Sequence, residues 1–299
     1  MPNGKFSGYS CKLKVIYLMD ASKEAALCPC FFLYKLPNLE KLLVTKGVLE
    51  EMFICKGHGC KEKYMAEEAS SKLTCLRLKG LNDSLNLGEE NSLLCKIFQN
   101  LTTLEVSSCN ELKALVSSTV TFQNLTTLEV SKSGGLITLM AISTAKSLVQ
   151  LARLKIIECK MIEEIIIHGG DREENPIIFS KLEYLELHCL PRLTSFYGGS
   201  YVIEFPSLQQ IVVRQCPNMK IFSHGALSTP SLHKLQTKEA EEGFWEGSLN
   251  TTIQKMYNDM VCIDHSPDFG IFLALLMLID LFCVVFPFYF SQFIRPVVI

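Results

Sequence analysis

The sequence carries little net charge and no long basic run. Its formal net charge is -2, from 29 Lys and Arg against 31 Asp and Glu in 299 residues. Proteins that bind nucleic acid through its phosphates concentrate Lys and Arg in a patch or stripe, so no nucleic acid partner is expected. The sequence also lacks a GxxxxGK[ST] phosphate-binding loop, so no nucleotide is expected as a ligand.

Patterns that support catalysis or metal binding are equally scarce. None of the six His stands in a nucleophile–base pattern. His58 lies between Cys55 and Cys60, but this spacing is not CxxC and no second pair is well placed, so a loop between repeats is the simpler interpretation. The acidic residues at 163–164 and 171–174 are interpreted as solvated surface. The chain is therefore expected not to be an enzyme, with no cofactor and no metal.

The beginning of the chain lacks the features of a secretory signal peptide, because Lys12 and Lys14 interrupt any apolar core. The 13 cysteines are odd in number and scattered, which favours a reducing compartment over a disulfide framework. A cytoplasmic location is the resulting expectation. Hydrophobic residues make up 48% of the chain, which is enough to bury a large core and is not typical of disorder.

Internal repetition is the most informative feature that is present. Residues 98–106 and 122–130 both read FQNLTTLEV, 24 positions apart, which indicates a duplication. The same LxxLxL frame recurs less strictly at intervals of 24 to 34 residues, in or just above the roughly 20–29-residue period of leucine-rich repeats. Its first leucines are Leu13, Leu39, Leu73, Leu101, Leu125, Leu151, Leu182 and Leu208, with a weaker copy at Leu232.

The repeat frame predicts the fold. The fourth and sixth residues of LxxLxL alternate with outward ones, as a short strand requires. Stacked repeats bury their apolar sides against each other, so we predict the α/β fold of a leucine-rich-repeat solenoid. It is expected to be a curved horseshoe with a parallel β-sheet on the concave face. Its convex segments are expected to be mostly irregular or short-helical, and residues 117–121 and 169–176 in particular have poor helix character.

Two further sets of residues support this register. The first set stands three residues before the first leucine of a strand and is predicted to form a buried spine: Phe98, Phe122, Leu148, Phe179 and Phe205. The second set follows the strands and is predicted to point inward as small hydrophobic side chains: Cys109, Cys159 and Cys216.

The pattern divides the chain into four regions. Residues 1–72 carry degenerate leucine-rich repeats, and residues 73–237 carry the regular ones. Residues 238–268 are predicted to form a C-terminal capping segment. Residues 269–299 form a hydrophobic tail, which the repeats do not explain.

The most apolar part of the tail, residues 269–290, is long enough to span a bilayer as a helix, which needs roughly 20 residues. Asp280 would oppose insertion by roughly 2.5–3.5 kcal/mol, and Pro287 would kink the helix. Three interpretations remain open. The tail is a membrane anchor, which is the alternative to a purely cytoplasmic location; or a buried or partner-binding helix; or translated sequence foreign to the repeats.

Several units resemble one known family. FQNLTTLEVSSCNELKALVSS, FSKLEYLELHCLPRLTSFYGG and FPSLQQIVVRQCPNMKIFSHG, followed by TPSLHKLQ and LNTTIQKMY, resemble the C-terminal repeats of plant nucleotide-binding leucine-rich-repeat disease-resistance proteins of the coiled-coil class. The resemblance covers about residues 70–260 and implies recognition of a pathogen effector or a host protein. No nucleotide-binding module or N-terminal coiled coil is evident, so switching and signalling are not implied.

The outward positions of the predicted strands form the candidate partner-binding face. Their mixed charges suit a protein partner, and Tyr184 and Arg214 are residue types that often dominate binding energy. The candidates are Arg77, Lys79, Thr103, Glu105, Thr127, Glu129, Arg153, Lys155, Tyr184, Glu186, His188, Gln210 and Arg214. The alternatives are an adaptor or substrate-binding subunit of ubiquitin-ligase type, although no F-box is evident in residues 1–40, and a non-signalling truncated relative.

Overall fold

The computed structural model describes residues 12–21, 36–47, 72–81, 97–167, 175–236 and 245–264. The chain divides into two units, residues 1–253 and 254–299. The described part of the second unit is the later portion of a helix, and the repeats belong to the first. The His58 segment, residues 171–174 and the hydrophobic tail lie outside the described residues.

Short strands dominate the described residues. In chain order they are β1 Val15–Ala21, β2 Lys41–Gly47, β3 Cys75–Lys79, β4 Thr103–Ser107, β5 Thr127–Ser131, β6 Thr138–Ala141, β7 Arg153–Ile157, β8 Glu164–Ile167, β9 Ile177–Ile178, β10 Tyr184–His188, β11 Ser195–Tyr197, β12 Ile203–Glu204, β13 Gln210–Arg214, β14 Leu227–Ser228 and β15 Lys234–Gln236. Two helices have described bounds, α1 Ile142–Ser147 and α2 Leu249–Asp264, and residues 97–100 are also helical.

The LxxLxL segments form one nine-stranded parallel sheet, the main sheet, in the order β1-β2-β3-β4-β5-β7-β10-β13-β15. Every copy of the frame supplies one strand, including the weak copies at its two ends. The duplicated nonamers lie side by side, so that Leu104 is the register partner of Leu128 and Val106 that of Val130. These leucines and valines are fully buried or nearly so, and the outward residues between them are not. The leucine-rich-repeat solenoid predicted from the frame is confirmed.

The predicted spine is buried along its whole length. Phe98 and Phe122 lie with ring centroids 5.5 Å apart, and Phe179 stacks on Phe205 at 5.1 Å. A second aromatic pair, which the frame did not predict, interlocks with the later pair: Phe196 and Phe222 stack at 4.8 Å, and each contacts Phe205 edge-on. Offset and edge-on contacts of this kind stabilise a core beyond the area they bury.

The segments that connect the main-sheet strands contain more regular structure than expected. Two three-stranded parallel sheets form there, β11-β8-β6 and β14-β12-β9. The short helix α1 and the irregular residues 117–121 match the expectation, whereas these strands were not foreseen. Strands of two to four residues are too short to produce a recognisable alternation, so the sequence holds little signal for them.

The chain turns away from the main sheet at one residue in the left-handed region. This residue follows the strand directly at Gly80, Ser108, Lys132, Glu158, Cys189 and Gln215, and in β2 the residue with positive φ is Lys46, one position before the end of the strand. From Gly80 to Cys189 its N–H donates to the last carbonyl of the next main-sheet strand, as from Ser108 to Ser131 at 2.9 Å. The backbone conformation therefore adds one hydrogen bond per repeat to those between the main-sheet strands. Only at Gly80 is the position occupied by glycine, the residue type that favours positive φ.

The next residue points inward, and here the predicted cysteines are buried. The N–H of Leu81 donates to the Cys109 thiol at 3.5 Å, and the N–H of Cys109 donates to the Ser133 hydroxyl at 3.2 Å. Backbone bonds to Cys159 from Ser133 and to Cys216 from Leu190 continue the pattern. A small polar side chain thus accepts a bond from the preceding repeat, which satisfies a buried backbone donor.

Asn250, in the first turn of α2, binds the backbone of Phe222 and Ser223. Its Oδ1 accepts from the N–H groups of Phe222 at 3.0 Å and Ser223 at 3.1 Å, and its Nδ2 donates to the carbonyl of Ser223 at 2.8 Å. The helix begins after Ser248, whose hydroxyl accepts from the N–H of Thr251 as an N-cap. One side chain therefore supplies bonds that a further repeat would otherwise supply.

Candidate binding face

The outward side chains of the main sheet form three parallel columns. We call this surface the outer face; it consists of the first, third and fifth residues of each five-residue main-sheet strand and their register partners in the others. Neighbouring strands lie about 4.8 Å apart, so the residues of a column are adjacent. All the residues predicted for binding lie on this face, and each is exposed or half-buried. Whether they contact a partner stays a prediction.

An ion pair follows the apolar residues at the start of the middle column. Arg77 and Glu105 are register partners across β3 and β4, and their Nη2 and Oε1 atoms lie 2.9 Å apart. The carboxylate of Glu105 raises the pKa of the Arg77 guanidinium above its usual value. Both side chains are partly exposed, so the pair contributes little to folding and leaves one face of each group for a ligand.

A second charged group gathers around Tyr184. Its hydroxyl donates to Glu186 Oε2 at 2.8 Å, and Lys155 Nζ lies 3.7 Å from the same oxygen. The Arg153 guanidinium lies 4.7 Å from the centre of the Tyr184 ring, which is within the range of a cation–π contact. Burial, followed by the bond to Glu186, raises the pKa of Tyr184 to about 12. The phenol therefore remains protonated and keeps donating at neutral pH.

Between these two groups lies Glu129. Its register partners are Glu105 on β4 and Lys155 on β7. Glu105 is bound to Arg77 and Lys155 is bound to Glu186, and within the described residues no cation lies within ion-pair distance of Glu129. The outer face therefore presents a half-buried carboxylate at the centre of its middle column.

The two ends of the outer face are more apolar than its centre. At one end β1 exposes Val15, Tyr17 and Met19, which are 39%, 68% and 75% accessible. They occupy the outward positions of the Leu13 repeat, so the frame itself could have identified them. At the other end Val212, which occupies the outward third position of β13, is only 3% exposed. Beside it, Gln210 Nε2 lies 3.5 Å from Gln236 Oε1.

The part of the chain that the structure describes brings no metal-binding set together. No three His, Cys, Asp or Glu side chains converge there in a way that could hold a metal ion. Glu163, part of the acidic pair noted in the sequence, binds Arg192 at 2.8 Å on the surface. Among the same residues, no helix combines the length and the apolar character needed to cross a membrane.

Comparison with known proteins identifies one family. A family model described as plant disease resistance protein RPS2-like, leucine-rich repeats, matches residues 3–121 and 118–241. No curated protein matches the chain, and no solved structure matches it. The two matched stretches meet within the duplicated region and together cover most of the chain, including β1 to β15.

Proposed function

The chain belongs to the RPS2-like leucine-rich-repeat family of plant disease-resistance proteins, and we propose that it recognises a pathogen effector or a host protein through the outer face. The observation that carries this proposal is the single face shared by Arg77, Glu105, Glu129, Lys155 and Glu186. Mixed charge in fixed geometry gives a protein interface its specificity. The proposed role is binding rather than catalysis, in the cytoplasm.

The dimensions of the outer face favour a macromolecule over a small ligand. Eight intervals of about 4.8 Å place β1 and β15 roughly 38 Å apart along the sheet. A typical protein interface buries about 800 Å² on each partner, and three columns of that length supply such an area. Small ligands are instead held in concave, mostly apolar pockets with few polar groups.

The distribution of residue types also fits a protein interface. Tyr184 is a rigid aromatic side chain held by a hydrogen bond and by two cations, so little conformational entropy is lost when a partner covers it. Charges of both signs surround it, with Arg153 and Lys155 on one strand and Glu186 on the next, which discriminates against partners with the wrong charge order. Threonine and serine at the flanking columns of β4 and β5 add hydrogen-bonding groups without bulk.

Charge reversal of the middle column tests the proposal. The intact chain and a variant carrying Glu105→Lys, Glu129→Lys, Lys155→Glu and Glu186→Lys are used to capture proteins from plant extract. We expect the wild-type partner to be lost from the variant. A control variant reverses the exposed residues Glu111 and Lys160, which lie outside the main sheet.

Circular dichroism and thermal melting establish that both variants retain the fold. Capture of the same partner, at the same yield, by the wild type and the folded four-residue variant would refute the assignment of binding to the outer face. Loss from the control variant as well would show that the effect is not specific to this face.

A further inference from the structure

We propose that Glu129 is the point on the outer face where the partner places a cationic side chain, an arginine or a lysine. This inference rests on the proposed function and specifies the chemistry of the partner. It follows from the ion pairs of the middle column. Glu105 and Glu129 occupy the same position in identical sequence segments, but they differ in ion pairing.

Glu105 and Glu129 occupy equivalent positions but have different neighbours. Both are the eighth residue of the nonamer FQNLTTLEV, and they are register partners on β4 and β5. Glu105 lies next to Arg77, and their charged atoms are 2.9 Å apart. Its charge is therefore largely balanced within the protein. Duplication has produced two equal carboxylates, of which only the first has a cation on its neighbouring strand at ion-pair distance.

Lys155 on β7 is the register partner of Glu129 on the other side. Its ammonium group instead lies 3.7 Å from Glu186 and 5.9 Å from the centre of the Tyr184 ring. The Tyr184 hydroxyl orients the Glu186 carboxylate by a 2.8 Å bond, so the attraction on Lys155 comes from β10. Arg153 is held over the same ring. The cations of β7 are therefore engaged by residues of β10, on the side opposite to Glu129.

The groups around Glu129 determine which charge on a partner can bind there. On β5 the outward residues on either side of Glu129 are Thr127 and Ser131. On the neighbouring strand β4 the equivalent residues are Thr103 and Ser107. Hydroxyl groups of this kind accept hydrogen bonds from a guanidinium or ammonium group. A carboxylate from a partner would be repelled here, since two glutamates lie about 4.8 Å apart across the strands. A cation is the group that this position favours.

Covering the site strengthens the interaction. Glu129 is already half-buried, and an interface that excludes water lowers the local dielectric further. A charge-assisted hydrogen bond to a partner is worth more than a neutral one, and its loss corresponds to a roughly tenfold to hundredfold weaker Kd. The matching change at Glu105 has a smaller effect, because Arg77 already balances that carboxylate.

The test uses random dodecapeptides displayed on phage as the probe and the full chain as the target. Peptides enriched on the wild type are synthesised, and their Kd is measured by fluorescence anisotropy against Glu129→Gln, Glu105→Gln and Glu111→Gln. We expect enriched peptides to contain a required Arg or Lys. Their Kd should rise roughly tenfold to hundredfold for Glu129→Gln, within about threefold for Glu105→Gln, and not at all for Glu111→Gln.

Replacing the required arginine by citrulline gives the second half of a double-mutant cycle. The citrulline peptide should bind wild type and Glu129→Gln equally, because the pair has already been lost. Enriched peptides without a required cation, or equal binding to wild type and Glu129→Gln, would overturn the inference. The same holds if no peptide is enriched on the wild type.

The same peptides separate this inference from the proposed function. Binding that is lost on the four-residue charge-reversal variant but kept on Glu129→Gln overturns the role of Glu129 and leaves the outer face as the binding surface. Binding that survives on both variants overturns the two proposals together. Circular dichroism of Glu129→Gln shows whether the fold is retained, and the nearly isosteric substitution at a half-buried surface residue is expected to retain it.

Discussion

The left-handed residue after each main-sheet strand leads to a prediction of increased stability. At Ser108 the backbone has φ of 56°, a region that costs an L-residue roughly 1–2 kcal/mol and glycine almost nothing. Glycine also has more freedom in the unfolded chain, which offsets roughly 0.5–1 kcal/mol. Ser108→Gly should therefore raise the free energy of unfolding by about 0.5–1 kcal/mol, since the bond from its N–H to the Ser131 carbonyl needs no side chain.

Urea denaturation followed by circular dichroism measures this effect. With a slope near 2 kcal/mol per molar urea, the midpoint should rise by about 0.3–0.5 M. The neighbouring residue supplies a matched control: Ser107 is the last residue of β4, in extended conformation. There glycine relieves no strain and should lower stability by roughly 0.5–1 kcal/mol. If the two substitutions lower the midpoint equally, the reasoning about the left-handed turn is refuted.

Three further predictions concern packing and titration. Gly135→Ala should lower stability by roughly 1–3 kcal/mol in a thermal melt, because a Cβ there would collide with a backbone carbonyl of the preceding repeat. The pKa of Tyr184 is raised to about 12, so the phenol contributes stability below pH 10 that is lost as the pH rises from 10 towards 12. Over that range the urea midpoint of Tyr184→Phe should therefore fall less than that of the wild type. Burial raises the pKa of Cys159 to about 11 and that of Cys216 to about 12, so iodoacetamide at pH 8 followed by mass spectrometry should label the half-buried Cys189 before Cys159 and Cys216. Faster labelling of either buried thiol would contradict its inward orientation.

The strand register was predictable because it is a local property. In LxxLxL the inward leucines alternate with outward residues, and every side chain changes face if the register slips by one residue. This is why the outward positions of β3 to β13 agree with the frame at Arg77, Glu105 and Tyr184. Val212 occupies an outward position of the same frame and is nevertheless buried, because accessibility depends on neighbouring side chains and not only on the strand that carries the residue.

Other features of the fold could not be predicted from the sequence. The left-handed position is occupied by Lys132, Glu158 and Cys189 as well as by Gly80, because its geometry is imposed by bonds to the next repeat and not by the residue itself. The short strands β6, β8 and β11 pair only with equivalent segments of other repeats. The stacking of Phe196 on Phe222 likewise joins residues in successive repeats.

The sequence by itself therefore determined the solenoid, its register and the membership of the outer face, because a repeated apolar spacing can be buried in only one way. Tertiary structure alone decided how the charges of that face combine. Glu105 and Glu129 stand in identical nonamers, and their difference arises from what the adjacent strands place beside them: Arg77 on one side, and on the other a lysine already bound to Glu186. Ion pairing is a property of neighbours in space, and those neighbours come from separate repeats.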